Sequence, residues 1–424
     1  DTLIKSQVLY QLSYGCIVFL FAGAKVRTFC ETTKYFEDFF HSSLFFSWLF
    51  RRNDYLCTII KNKTCLYTMK KIAIYSLTSE LHDEQAVDAV TSEFLSTLHT
   101  DYDFQGSNYA DYGTHTLDLI YVRTGGTEGI FLRLLPQLQA QSHRPFYLLT
   151  SGKSNSLAAS MEILSYLHQN GFKGEIIHGN SDYINHRIGI LQKAGEARQK
   201  LQDTRLGIIG KPSDWLISSH ADKELVRRSL GIDLIDIPMQ ELLDAIAATP
   251  LPEDVTENAP TEAIAKSLPG AIQIYNALKT IVARHRLTGL TLRCFDLLTA
   301  VHNTGCMSLA LLNSEGFTAT CEGDVPALLS MAIAQALTGV SGFQANPSCI
   351  DPKIGQMVFA HCTIPLNMVE RYELDTHYES GIGVGIRGYM KTGDITIFKI
   401  SGDTSRYFFE EGQLLACEAN SDRC

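Results

Sequence analysis

From residue 69 onward, short apolar runs alternate with segments whose apolar positions recur every three or four residues. Residues 72–77 predict a first strand. Residues 83–98 predict a helix carrying Val87, Val90, Phe94 and Leu98 on one face. Residues 117–122 are apolar except for Asp118 and end in the turn Thr124-Gly125-Gly126-Thr127, with a helix expected over 130–138. The rhythm continues through strand 146–150, helix 157–168, strand 175–178, a helix near 183–201 and strand 206–209. Strands separated by helical patterns of about 10–20 residues predict parallel sheets in doubly wound α/β architecture.

Residues 249–262 are polar and proline-rich, the signature of a boundary or inserted loop. An amphipathic helix follows through Ile264, Leu268, Ile272, Tyr275, Leu278 and Val282, with an interruption expected at Pro269-Gly270. Strand 290–294, helix 306–312, strand 317–321 and helix 325–337 complete a second α/β stretch. Beyond Gly339 the pattern becomes strands joined by tight turns, at 357–363, 383–389, 395–400 and 407–409. Lys391-Thr392-Gly393-Asp394 gives the strongest hairpin signal. These patterns predict four segments: an atypical extension at 1–68, a Rossmann-like domain at 69–204, a second α/β domain at 205–342, and a C-terminal antiparallel β domain at 343–424.

The extension stands apart by composition. It holds nine of the 21 Phe and four of the 11 Cys, without clean periodicity. Its longest apolar run, residues 16–24, is shorter than the ~20 residues that span a bilayer. Met69-Lys70-Lys71 followed by a strand reads as the start of an α/β protein, with 1–68 as upstream translation or a poorly ordered segment. A membrane anchor is the competing reading.

Charge and cysteine content narrow the function. The net charge of −10, with 36 basic against 46 acidic residues and no basic stripe, argues against nucleic-acid binding. No cysteines are spaced as CxxC, and Cys294, Cys306, Cys321, Cys349 and Cys362 fall mostly in apolar or strand-like runs. Buried free thiols in a reducing, cytoplasmic compartment fit this better than disulfides or structural zinc.

The first candidate for chemistry is Cys321-Glu322-Gly323-Asp324, where a strand ends, two carboxylates appear and a helix begins. Ligands of open α/β sheets gather at the carboxyl ends of strands. Two carboxylates on a tight turn suit a hard divalent cation. Asp324 before Val325-Pro326 equally suits a helix N-cap, and Glu322 lacks any such structural role. His361 lies on an apolar strand face, where a core histidine and a ligand are both open readings. His377 and Glu379, two apart, face one side of an extended chain and could bind a substrate there, and plain surface residues explain the spacing equally well. The Thr124–Gly129 turn, with Gly125 and Gly126, matches no nucleotide motif but could present backbone N–H groups to a ligand. Lys211, Asp214 and Trp215 follow a strand and could face a substrate, or form a plain surface turn.

Five segments together resemble the C-terminal half of the L-fucose isomerase and L-arabinose isomerase group. They are Cys294-Phe295, Thr304–Asn313, Ala319–Asp324, His361–Pro365 and Thr376–Gly385. Ser156–Glu162 and Gly210–Trp215 resemble that group's N-terminal domains. The resemblance implies a metal-dependent aldose–ketose isomerase working through an enediol, with two Rossmann-like domains and a barrel-like C-terminal domain. It implies a divalent ion, commonly Mn²⁺, on Glu322, Asp324 and His361, with Glu322 or Asp324 transferring the proton. It further implies a sugar substrate and a trimer or hexamer with active sites between subunits. The departure lies at Phe343-Gln344-Ala345-Asn346, where an acidic ligand is expected. That departure supports a second reading, an inactive sugar-binding protein of the same fold.

Overall fold

The computed structural model describes residues 17–21 and 72–418, except 254, 257 and 258. The extension expected at 1–68 therefore lies outside the described residues apart from one strand, β1 (Ile17–Phe21). Two compact units divide the chain, one ending at Gln199 and the other running from Lys200 onward with β1 included.

The first unit contains β2 (Ile72–Leu77), α1 (Glu84–Leu95), β3 (Tyr102–Gly106), β4 (Leu117–Val122), α2 (Glu128–Gln141), β5 (Phe146–Leu149), α3 (Ser156–Gln169), β6 (Gly174–Ile177) and all but the last turn of α4 (Ser181–Gln202). Its sheet is wholly parallel, in the order β3-β2-β4-β5-β6. Alternation along each strand sends side chains to both faces. Tyr75, Ile120 and Leu148 pack with Phe131 and Ile163 of α2 and α3, while Ile74, Leu119 and Leu149 pack with Leu95 and Ile188 of α1 and α4. Burial on both faces explains why β2 and β4 read as continuous apolar runs.

The second unit begins with another parallel sheet. Its elements are β7 (Arg205–Ile209), α5 (Lys223–Leu230), β8 (Asp233–Ile237), α6 (Met239–Ala248), α7 (Glu262–His285), β9 (Gly289–Leu292), α8 (Phe295–Ala300), α9 (Cys306–Ser314), β10 (Thr318–Cys321) and α10 (Val325–Thr338). The order is β10-β9-β7-β8. Both sheets thus place their second strand outside the first and their third on the other side. This reversal of direction opens a crevice at the carboxyl ends of the first and third strands. For the second unit those are β7 and β9, whose ends carry Lys211 and Arg293.

The antiparallel part comprises β11 (Phe343–Asp351), β12 (Gln356–Ala360), β13 (Arg371–Asp375), β14 (Gly385–Tyr389), β15 (Gly393–Ile400) and β16 (Tyr407–Leu414). One sheet runs β12-β11-β1-β15-β16, and β13 pairs with β14 alone. Sheet type changes from parallel to antiparallel at β11, and the apolar core runs across the change within one compact unit. Ile209, Leu290 and Leu292 of the parallel sheet share a cluster with Phe343, Ile386, Ile395 and Ile397.

Two expectations are corrected. The turn Lys391–Asp394 does not make a hairpin, because β14 pairs with β13 and β15 with β16. β15 instead turns into β16 at Ser401–Arg406, where Ser401 N–H bonds to the Arg406 carbonyl. Nor do Pro269 and Gly270 interrupt α7. The helix runs through them, with buried Leu268, Ala271 and Ile272 holding it to the core and the Asn303 side chain against Gly270.

Candidate active site

Glu322 occupies the turn between β10 and α10 with a positive φ of 66°, followed by Gly323 at 69°. A left-handed glutamate is uncommon and strained, and such outliers concentrate at functional sites. Hydrogen bonds fix the turn: Ser213 N–H donates to the Glu322 carbonyl at 2.9 Å, and Gly323 N–H to the Leu292 carbonyl at 3.1 Å. Gly323 is required sterically as well, since a Cβ there would lie 2.4 Å from the Lys211 carbonyl oxygen. The end of β10 is thereby locked against the loop after β7.

The Glu322 side chain is largely buried. Its Oε1 stands 3.7 Å from His361 Nε2, and Trp215 Nε1–H donates to Oε2 at 3.4 Å. Burial pushes this carboxyl up, but His361, Trp215 and Asn346 together outweigh it and hold the group below its ordinary value. It is therefore a buried carboxylate that stays ionised. His361 follows the end of β12, and its Nδ1 lies 2.9 Å from Thr363 Oγ1, which orients the ring so that Nε2 faces Glu322.

Around this pair lies an aromatic and charged rim. Trp215, 55% exposed, meets Phe295 edge-on at 4.9 Å, and Phe295 meets His377 at 5.7 Å. Arg293 binds Asp214 at 2.7 Å and Asp296 at 2.9 Å, and Lys211 reaches Asp214 at 3.0 Å. Arg293 and Lys211 hold the Asp214 carboxyl down at about 2.

The predicted residues separate into groups. Glu322, His361, Trp215, Asp214 and Lys211 surround the end of β10 and the loop after β7. Asp324, fully buried, accepts from Ala327 N–H at 2.9 Å as the N-cap of α10, and Lys399 Nζ stands 3.6 Å from its other oxygen. Burial pushes its carboxyl above the ordinary value, while Lys399 and the Ala327 N–H work in the opposite direction. Asp324→Ala is expected to cost about 1–2 kcal/mol through the lost cap. A lower urea midpoint with turnover per folded molecule preserved would confirm a structural role.

His377 and Glu379 do not share a side. The chain turns at 378–380, with Gly381 N–H bonding to the His377 carbonyl, so that His377 is buried and Glu379 exposed. Gly125 and Gly126 belong to the first unit, at the carboxyl end of β4. Gly125 N–H there bonds to the Ser154 carbonyl, and Gly126 has a φ of 74°. A cavity of about 130 Å³ in that unit, bordered by Asp118, Arg144 and Arg198, opens at the opposite, amino-terminal end of the strands. Cys349, expected in an apolar environment, is exposed.

Reasoning from sequence missed Arg293 and Lys399, and it singled out Thr363 with His361 without foreseeing their contact. For Arg293 the available signal was a charged residue at a strand exit; the contacts of the other two depend on tertiary placement.

A divalent cation can be tested against these donors. Glu322 Oε1 and His361 Nε2, buried and 3.7 Å apart, are the oxygen and nitrogen donors that a divalent cation takes. The Thr363 contact supplies the outer-shell partner that ligating histidines ordinarily have. Glu322 and His361 therefore fit as two donors; of Asp324, Oδ1 caps α10, while Oδ2 is buried without a hydrogen-bond partner, 3.6 Å from Lys399 Nζ, and is the oxygen that could complete the set.

The chain is similar to proteins named sulfoquinovose isomerase. It is 27% identical over 218 residues to the sulfoquinovose isomerase of Clostridium sp. (strain MSTE9), covering 49% of this chain and 47% of that enzyme. Identity is 22% over 271 residues to the sulfoquinovose isomerase of Alkalicoccus urumqiensis, with 60% of each chain covered. The sulfoquinovose isomerase of Priestia aryabhattai matches at 22% over 268 residues, again with 60% of each chain covered. The chain thus spans about half to three-fifths of the length of the curated relatives it matches. No family model matches it.

Proposed function

We propose that the chain is an aldose–ketose isomerase acting on a monosaccharide, with a sulfonated sugar such as sulfoquinovose as first candidate substrate. The observation that carries this reading is Glu322: a largely buried carboxyl group facing His361 at the carboxyl end of a parallel strand, beside an exposed Trp215. Such a carboxylate can take the C2 proton of an aldose and return it to C1 through an enediol. Trp215 offers an apolar ring surface to the sugar face and an N–H that steadies the carboxylate. Glu322 and His361 would hold the divalent cation, Mn²⁺ in the resemblance, which supplies electrostatic stabilisation of negative charge on the substrate oxygens. The homo-oligomer and the cytoplasmic location belong to the same proposal. Among the described residues, no helix is long and apolar enough to cross a membrane.

A second reading, an inactive sugar-binding protein, draws on Asn346. This side chain hydrogen-bonds Glu322 and lies in the segment where the resemblance expects a carboxylate ligand.

Both readings meet in one experiment. The full chain is stripped of divalent metals, reconstituted with Mn²⁺, and incubated in D₂O with a panel of aldoses that includes sulfoquinovose. Ketose formation with deuterium entering from solvent, absent in Glu322→Gln, supports the isomerase. If no sugar exchanges or turns over after reconstitution while calorimetry detects sugar binding, the binding-protein reading replaces it.

A further inference from the structure

A second donor cluster lies beside this site: it shares His377 with the aromatic rim, and Cys362 Sγ is 3.9 Å from His361 Nδ1, but the proposed proton transfer uses none of its three ligand atoms. Cys306, Cys362 and His377 each offer one ligand atom, and all three atoms fall within 4.8 Å of one another. The two sulfurs are 3.2 Å apart. All three residues are buried, with relative exposures of 2%, 7% and 5%. Among the described residues, no other group of three or more His, Cys, Asp or Glu side chains comes together in this way.

Three separate segments build the cluster, and each is held by its own backbone contacts. Cys306 is the first residue of α9, where the helix dipole stabilises negative charge on sulfur. The Cys362 carbonyl accepts from Ile386 N–H at 3.0 Å. Gly385 permits this approach, since a Cβ there would lie 3.2 Å from Cys362 Cβ. His377 N–H donates to the Ile382 carbonyl, and its Nδ1 is 3.0 Å from Ser380 Oγ. With Nδ1 turned to Ser380, Nε2 is the ring nitrogen that would ligate, and Ser380 is its outer-shell partner.

We propose that Cys306, Cys362 and His377 form a site for a thiophilic divalent cation, with zinc as the ion that best matches this donor set. Two thiolates and a neutral imidazole are borderline-soft donors that suit zinc and disfavour Mn²⁺ or Mg²⁺. The charge argument agrees, because two thiolates neutralise a divalent ion and leave no net charge in a buried position. Tetrahedral ligation at 2.3 Å would place the sulfurs about 3.8 Å apart, an opening of about half an ångström from their present spacing. Binding displaces the two thiol protons to solvent, and no oxidant or reductant is involved. Water completes the coordination. This site is distinct in chemistry from the oxygen and nitrogen donors of Glu322 and His361, and it does not depend on the isomerase reading. It is also distinct from the neighbouring pair Cys294 and Cys321, whose sulfurs are 2.6 Å apart and which belong to no three-donor group.

Cobalt spectroscopy on the full chain, reduced and metal-free, tests the assignment. Thiolate ligation gives a sulfur-to-cobalt charge-transfer band in the near ultraviolet, which a site of oxygen and nitrogen donors lacks. One equivalent of Co²⁺ is expected to raise this band and one equivalent of Zn²⁺ to remove it. Glu322→Gln and Cys294→Ser should retain the band, and Cys362→Ser should lose it. Ser380→Ala leaves every ligand in place and is expected to weaken zinc affinity about 10–100-fold, read by competition with a chromophoric chelator. This gentler variant keeps the proposal testable should Cys362→Ser fail to fold. The assignment is overturned if the wild-type chain binds cobalt without the band or binds none, if Cys294→Ser rather than Cys362→Ser removes it, or if Ser380→Ala leaves affinity unchanged.

Discussion

Replacing Glu322 with glutamine is expected to lower turnover by about 10²–10⁴-fold, the range for loss of a positioned acid/base group. The substitution keeps size and shape, so Trp215 retains an oxygen to which its Nε1–H can donate. Circular dichroism should therefore report an unchanged fold while kcat collapses. Stability should change with pH as well. The Glu322 carboxyl lies below its ordinary value of 4.5 in the folded chain, so it contributes stability above pH 4.5 that is lost as pH falls through its lower folded value. The glutamine variant lacks that contribution, and its acid unfolding curve should be flatter in this window. Wild-type turnover in the variant would remove Glu322 from the chemistry and with it the proposed mechanism.

The second large effect is expected at the neighbouring residue. Gly323→Ala introduces a Cβ into a left-handed backbone, which costs about 1–2 kcal/mol. That carbon would also lie 2.4 Å from the Lys211 carbonyl oxygen and 2.8 Å from Pro212 Cα, both backbone atoms with little freedom to yield. Overpacking of this kind adds about 1–3 kcal/mol, so a total loss of about 2–5 kcal/mol is expected. Chemical denaturation measures it directly. Relief of the clash would displace Glu322, so turnover per folded molecule should fall too. Full stability and activity in this variant would show that the turn tolerates a left-handed alanine and can shift its neighbours without cost.

Much of the candidate site was legible because its information is local. A strand ending in Cys321, two carboxylates and a proline at a helix entry occupy six consecutive residues, and period and turn chemistry locate them. The same local code left Asp324 between cap and ligand, since a carboxylate serves both. The Ala327 N–H takes one oxygen as the cap, while the other lies buried near Lys399, 75 residues further on, a placement no local pattern specifies. The Arg293–Asp214 pair follows from β7 lying beside β9, an adjacency that no local pattern specifies. The misread turn at Lys391–Asp394 has the same cause. Turn residues reveal that a chain reverses, whereas pairing partners depend on which strands have already closed the sheet. His377 and Glu379 parted because glycines at 381 and 383, both with positive φ, allow a turn where alternation assumed a strand.

The position of β1 carries a different consequence, one for assembly of the molecule. Its five residues pair with β11 on one side and β15 on the other, at the middle of a sheet whose remaining strands lie more than 300 residues away in sequence. Loop-closure entropy rises only slowly with length, so this distance is a modest equilibrium penalty and mainly a kinetic delay. Until that segment arrives, β11 and β15 each present an unpaired row of backbone donors and acceptors, the kind of edge through which chains join one another. The slot between them is therefore a place where folding of this protein would compete with aggregation.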